Sequence, residues 1–232
     1  LYVFFNSNNG VNGNQLANYV DANVKTARKF SKKCRILMAE SNNSKILQSS
    51  FYEIDILEIG GHHKGKRGKD SENKQPTLLI LSTLEDNNYP QYVKLHTLPN
   101  YKGEPIEEYL KEKCLFDPTI VINCDRDKAF FCLNKLAQLE NSVVDYTKEN
   151  HKLKWLNTFT GNIQSNINHL YRLVKKRDLP LFLSEQEWRI NHRYSGKRIM
   201  DKVKKYISMS TPVTFKQITN SVLAYEKQFL SA

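Results

Sequence analysis

The chain has 232 residues, 40% of them hydrophobic, enough for one large domain and a small one around a real core. Lys+Arg 35 against Asp+Glu 24 leaves a net charge of +11, which favours an anionic partner, nucleic acid ahead of a membrane surface. No apolar run reaches the length of a membrane span, and no secretory signal pattern opens the chain. The opening Leu1-Tyr2-Val3-Phe4-Phe5 is apolar and lacks Met, as expected of a fragment. Cys34, Cys114, Cys124 and Cys132 form no Cys-x-x-Cys pair, which argues against a zinc ribbon within the chain. Their apolar flanks read as reduced core thiols of an intracellular protein.

Residues 1–48 read as helical. Leu16, Ala17 and Val20 recur at helical spacing, Asp21-Ala22-Asn23 interrupts, and Val24, Ala27, Phe30, Cys34 and Leu37 then recur at steps of three and four. Two helices joined by a tight turn resemble a helix-turn-helix. The second bears Lys25, Arg28, Lys29, Lys32, Lys33 and Arg35. Major-groove contact by that helix is the functional reading; a solvated basic face is the plainer one.

Phe51 to Ile59 alternates as a strand and stops at Gly60-Gly61, with Asp55 in its middle. A carboxylate there is costly unless it is paired or holds a cation; an edge-strand Asp facing water is the alternative. His62 and His63 then lead into a basic glycine-rich loop with Lys64, Lys66, Arg67 and Lys69, suited to phosphate contact. Residues 76–84 form an apolar run typical of a buried strand, and 89–98 alternate as a half-buried one. A short helix is expected over 104–113, with Pro105 just inside its start. A fourth strand spans 119–124 and ends at Asp125, an amphipathic helix follows over 127–139, and a fifth strand covers 142–146. From 149 to 193 the pattern is helical, broken near 176–180, and at least one more basic helix follows Tyr194. The basic stretch 172–205, with Trp188 and Tyr194, reads as a DNA track or as a solvated helix face.

Three strands, helix, strand, helix, strand and helices is the chain order of an RNase-H-like fold. The expected class is α/β: a mixed five-stranded sheet flanked by helices, preceded by a small helical domain. In that arrangement the first strand lies beside the fourth, so Asp55 and Asp125 can share divalent cations through oxygen ligands. A third ligand is sought on a helix over the sheet, in Trp155-Leu156-Asn157-Thr158-Phe159-Thr160-Gly161-Asn162-Ile163. Asp125 alone also reads as a helix N-cap.

At these residues the chain resembles the insertion-sequence transposases related to Merlin-type DNA transposons. Residues 9–27 are similar to the family's helix-turn-helix. Glu53-Ile54-Asp55 with Gly60-Gly61 and the Lys64–Lys69 loop resembles its first catalytic strand. Asn123-Cys124-Asp125 is similar to its second acid, and Trp155-Leu156-Asn157-Thr158 with Gly161-Asn162 to the third-ligand helix of its Asn-type branch. Leu183 to Arg193 is similar to its closing helix. The resemblance implies a triad of Asp55, Asp125 and Asn157 holding Mg²⁺ or Mn²⁺. It implies DNA contacts from Lys25, Arg28, Lys29, Lys32, Lys64, Lys66, Arg67, Lys69, Gln164, Arg189 and Arg193.

The activity so implied is that of a DNA transposase cutting transposon ends and joining the 3′-hydroxyl to target DNA; the alternative is a transposase-derived DNA-binding protein with weakened or lost catalysis. Two departures stand out: Gln164 where the family usually has Lys, and Ile56 where it usually has Glu. The family's zinc ribbon would lie upstream. The expected division is a DNA-binding domain over 1–48, a catalytic domain over 49–205 and a helical tail over 206–232. Double-stranded DNA is the expected partner, with a homo-oligomer and no membrane, in the cytoplasm or nucleoid of a bacterium or the nucleus of a eukaryote.

Overall fold

A computed structural model describes residues 1–60, 74–83, 89–117, 119–125, 127–141, 153–171 and 174–209. The described residues divide into two compact units, one within Lys45–Gln164 and one of Leu1–Ser44 with the described residues from Ser165 to Met209. Residues 165–205, expected with the sheet, group instead with the N-terminal helices.

The first unit is built on five strands: β1 (Phe51–Ile59), β2 (Gln75–Thr83), β3 (Pro90–Thr97), β4 (Val121–Cys124) and β5 (Gln138–Asn141). Their order is β3-β2-β1-β4-β5; β1, β2 and β3 pair antiparallel, and β4 joins β1 and β5 in parallel. This mixed α/β sheet with helices against it is the RNase-H-like arrangement. Strand residues alternate between faces. On one face Tyr52 and Ile54 of β1 join Leu78, Ile80, Ile122 and Cys124 in a core closed by Ile106 and Leu110 of helix α4 (Gly103–Lys113; the N-terminal helices, described below, are α1 to α3) and by Phe130 and Leu133. The other face of β1 presents Glu53, Asp55, Leu57 and Ile59, and buries three of them. Helix α5 (Lys154–Ser165) covers that face: its buried residues are Leu156, Phe159 and Ile163, at steps of three and four. Burial on both faces explains why β2 reads as a continuous apolar run.

Two elements differ from the sequence expectation. Residues 128–135 form a 3₁₀ helix, and β5 follows at once, before the strand expected at 142–146, which lies outside the described residues. Leu133, Leu136 and Leu139 keep a helical period through the boundary, but Leu139 pairs with Ile122 of β4 as a strand residue. The cap of the 3₁₀ helix is Asp127, whose side chain accepts the Ala129 N–H, so Asp125 is free of the capping role its position suggested.

In the second unit, α1 (Tyr2–Asn6), α2 (Gly13–Tyr19), α3 (Val24–Asn43), α6 (Leu179–Asn191) and α7 (Ile199–Met209) enclose Phe4, Phe5, Leu16, Cys34, Met38, Trp188 and Val203. Asn12 caps α2 through a capping box with Gln15, and Asn23 caps α3. Asp21 turns the chain between them with φ +47°, in the left-handed region that Asp tolerates better than most residues. Among the described residues no helix is long and apolar enough to cross a membrane.

His96 on β3 stacks on Tyr109 of α4, ring centroids 4.0 Å apart. Burial pushes its imidazole down from 6.5 to about 4, against the opposing pull of Glu112. Between these values the unfolded chain binds a proton that the folded one refuses, so stability is full above pH 6.5 and falls as pH drops toward 4. A His96→Phe variant keeps the stack and loses this proton uptake. Its urea midpoint should fall less than that of the parent between pH 6.5 and 4; parallel curves would show that His96 contributes nothing to acid sensitivity.

Candidate metal centre

The central geometry follows from the parallel pairing of β1 with β4. Phe51 faces Val121, Tyr52 faces Ile122, Glu53 faces Asn123 and Ile54 faces Cys124. The next residue on each strand is an aspartate, Asp55 and Asp125. Neighbouring strands lie about 4.8 Å apart, so the two carboxylates emerge side by side where β4 ends. Cys124 registers both: burial pushes its thiol up to about 12, and the charges of Asp125 and Asp55 push in the same direction. Asp55 is half-buried and accepts the Ile56 N–H at 2.7 Å. Asp125 is exposed and accepts the Asp127 N–H at 3.0 Å.

Two contacts set α5 along β1. The Leu156 N–H, in the first turn of α5, bonds to the Glu53 carboxyl. At the other end the Gln164 side-chain amide donates to the Glu58 carbonyl at 3.4 Å. Helix and strand therefore run in the same direction, and Asn157 starts beside Glu53, two residues before Asp55. Asn157, Thr160 and Gln164 share one helical stripe. The third expected ligand thus comes from the helix that covers the Asp55 face.

Below the aspartates lies a pair that the sequence reading passed over. Glu53 and Asn123 are cross-strand partners, 5% and 8% exposed, on the same face as Asp55. Burial pushes the Glu53 carboxyl up to about 7, with the Leu156 N–H opposing. Glu53 Oε2, Asn123 Oδ1, Asn157 Nδ2 and Thr160 Oγ1 are buried and have no hydrogen-bond partner among the described residues. The signal in the sequence was a polar residue two places before each aspartate, Glu-Ile-Asp and Asn-Cys-Asp.

Among the described residues no three His, Cys, Asp or Glu side chains gather as a metal cluster. The expected set is two carboxylates and one amide. Its donors are all hard oxygens, which suit Mg²⁺ or Mn²⁺ and disfavour softer ions. The register of β1 and β4, with an aspartate next on each, is the observation that fits such an ion.

The family departures fall away from this centre. Ile56 points to the opposite face from Asp55 and packs against the apolar core there. Gln164, expected at DNA, holds α5 to the strand.

A comparison with protein-family models matches residues 51–191 to the ISXO2-like transposase domain. The chain belongs to this transposase family. The match opens at β1 and closes at the end of α6, taking in all five strands and all three residues of the expected triad. No match is found among curated proteins.

The remaining expected DNA contacts of this transposase scatter. Lys25, Arg28 and Lys29 are exposed on the first half of α3, and Lys32 is half-buried with its ammonium 3.3 Å from Asp178. Arg28 and Lys32 line a cleft of about 840 Å³ together with Asn12, Asn14, His169 and Tyr171. Arg193 is half-buried, donates to the Ile190 carbonyl at 2.7 Å and lies over the Tyr194 ring at 4.6 Å. Lys64, Lys66, Arg67 and Lys69 lie outside the described residues, as do His62 and His63.

Arg189 corrects the sequence expectation. It is 6% exposed, and its guanidinium bonds the Glu185 carboxylate at 2.6 and 3.0 Å and the carbonyls of Ser7 and Phe4. Arg35 grips the same carboxylate at 2.6 Å, and the Tyr171 hydroxyl donates to it at 2.8 Å. Trp188, expected near a DNA track, is 1% exposed, in the same helical core. Arg189 is therefore a core cation, committed on every side to protein acceptors.

Burial alone would raise the Glu185 carboxyl; Arg35 and Arg189 outweigh it and hold it below its usual range. Glu185→Ala strands two guanidiniums in the interior and should cost about 3–5 kcal/mol in urea unfolding. A loss under about 1 kcal/mol would mean that the cluster is not a structural keystone of this unit.

Proposed function

We propose that this transposase performs metal-dependent phosphoryl transfer on DNA, cutting at the element's ends and joining the freed 3′-hydroxyl to target DNA. The observation that supports the reading is the strand register, in which Ile54 faces Cys124 and an aspartate follows each, in a chain of a transposase family. Asp55, Asp125 and Asn157 would hold Mg²⁺ or Mn²⁺. When bound, such ions supply Lewis acidity to the attacking and leaving oxygens of a phosphodiester. The chain's own share is placement. Asp55 on a rigid strand and Asp125 at the end of another fix two negative donors, and Asn157 adds a neutral one from α5. Their negative charge binds cations and repels a phosphate that lacks one, which ties substrate approach to metal loading.

Duplex DNA is the proposed partner. The exposed Lys25, Arg28, Lys29 and Lys33 on α3 form a basic stripe that supports a helix-turn-helix role for α2 and α3. Joining two ends calls for two active copies, so we infer a homo-oligomer acting where the host keeps its DNA. The relationship to Merlin-type elements belongs to the same proposal. The reading of a catalytically decayed copy draws no support from Ile56 or Gln164, because neither departure alters the proposed ligand set.

Asp55→Ala should reduce Mg²⁺- or Mn²⁺-dependent nicking of DNA carrying the element's ends to background. A gel-shift assay should show the same variant binding those ends as the parent does. Undiminished cutting by Asp55→Ala would refute the assignment.

A further inference from the structure

We propose that Glu53, with Asn123 beside it, is a positioning residue that orients the Asn157 amide; this rests on the reading of Asp55, Asp125 and Asn157 as the cation site. An asparagine ligand has a problem that a carboxylate lacks. Its side chain ends in one oxygen and one nitrogen, and only the oxygen can face a cation. Something must hold the NH₂ group away.

The surroundings of Asn157 supply that hold. Its Nδ2 is buried without an acceptor, although the residue as a whole is half-exposed. The nitrogen therefore lies on the inner side. Two unpartnered acceptors, Glu53 Oε2 and Asn123 Oδ1, are buried on the adjoining rung of the sheet. A donor without an acceptor beside acceptors without a donor is costly as separate groups and favourable as a set. With Nδ2 turned to Glu53 or Asn123, Oδ1 is the end of the amide left to face a cation.

Glu53 also fixes the backbone that carries the amide. Its carboxyl takes the Leu156 N–H, one of the first-turn amides that a helix leaves without an internal partner. Asn157 is the next residue. One side chain thus pins the start of α5 to β1 and offers an acceptor to the side chain that follows. Glu53 itself touches no reacting atom in this scheme; it acts through Asn157, as residues behind a metal ligand commonly do.

The test is Mn²⁺ binding to the full, metal-free chain at one fixed pH, followed by electron paramagnetic resonance. Glu53→Ala should weaken binding about tenfold or more, and Asn157→Ala should weaken it as well. Glu53→Gln keeps one oxygen for the Leu156 amide but puts a donor where the second acceptor stood, so its binding should fall between that of the parent and that of Glu53→Ala. In the Asn157→Ala background Glu53→Ala should add no further loss, because the residue it serves is gone. Unchanged binding in Glu53→Ala or in Asn157→Ala overturns the proposal. So do additive losses, which would make Glu53 a ligand in its own right. Asp55→Ala should remove Mn²⁺ binding; if it does not, the cation site is wrong and the proposal falls with it.

Discussion

The parallel ladder between β1 and β4 is the constraint on which the rest depends. It is four residues long on the β4 side, from Val121 to Cys124. The Val121 N–H bonds the Ser50 carbonyl at its start, just before β1. Side chains alternate along a strand, so a slip of one residue would carry Asp125 to the opposite face. That face is filled by Tyr52, Ile54, Ile122 and Cys124, which cannot be exchanged for carboxylates without a large desolvation cost. The apolar packing on one side of the sheet thereby selects the polar arrangement on the other.

The sheet was readable from the sequence because each strand carries its own pattern: alternation in β1 and β3, a continuous apolar run in β2, a turn-bounded apolar segment in β4. Asp55 was readable for the same reason, since it stands in mid-strand between Ile54 and Ile56. The boundary between residues 127 and 141 was not. Leucines at 133, 136 and 139 satisfy a helical period, and only pairing with β4 decides that the last belongs to a strand. Pairing is a long-range fact, and a local period cannot report it.

Charge misled for a related reason. Arg35 and Arg189 look like surface cations in a basic chain; the four-residue spacing of Glu185 and Arg189 permits a pair, but nothing in the sequence shows that Arg35, 150 residues away, reaches the same carboxylate. The three form a buried group with Tyr171, and the aromatic rings of Phe182 and Tyr171 lie 3.9 and 5.2 Å from the Arg35 guanidinium carbon. A backbone glycine completes the arrangement: at Gly10, φ +102°, an added Cβ would fall 1.8 Å from the Tyr171 hydroxyl. The same chemistry that suits arginine to phosphate, a planar fork of donors, suits it to hold a helical core together. Glu53 and Asn123 went unread for the opposite reason. A polar residue on a strand usually faces water, and here both are buried.

The thiol of Cys124 has a consequence for ion selectivity. It belongs to the residue directly before Asp125, and in many proteins a cysteine in such company recruits zinc or cadmium. Here it lies wholly buried on the apolar side of the sheet and is pushed up to about 12, so at neutral pH it stays protonated. Thiophilic ions find no thiolate to bind, while the oxygen donors on the other side keep their preference for small hard cations. The alternation of a single strand thus separates soft from hard chemistry within two consecutive residues.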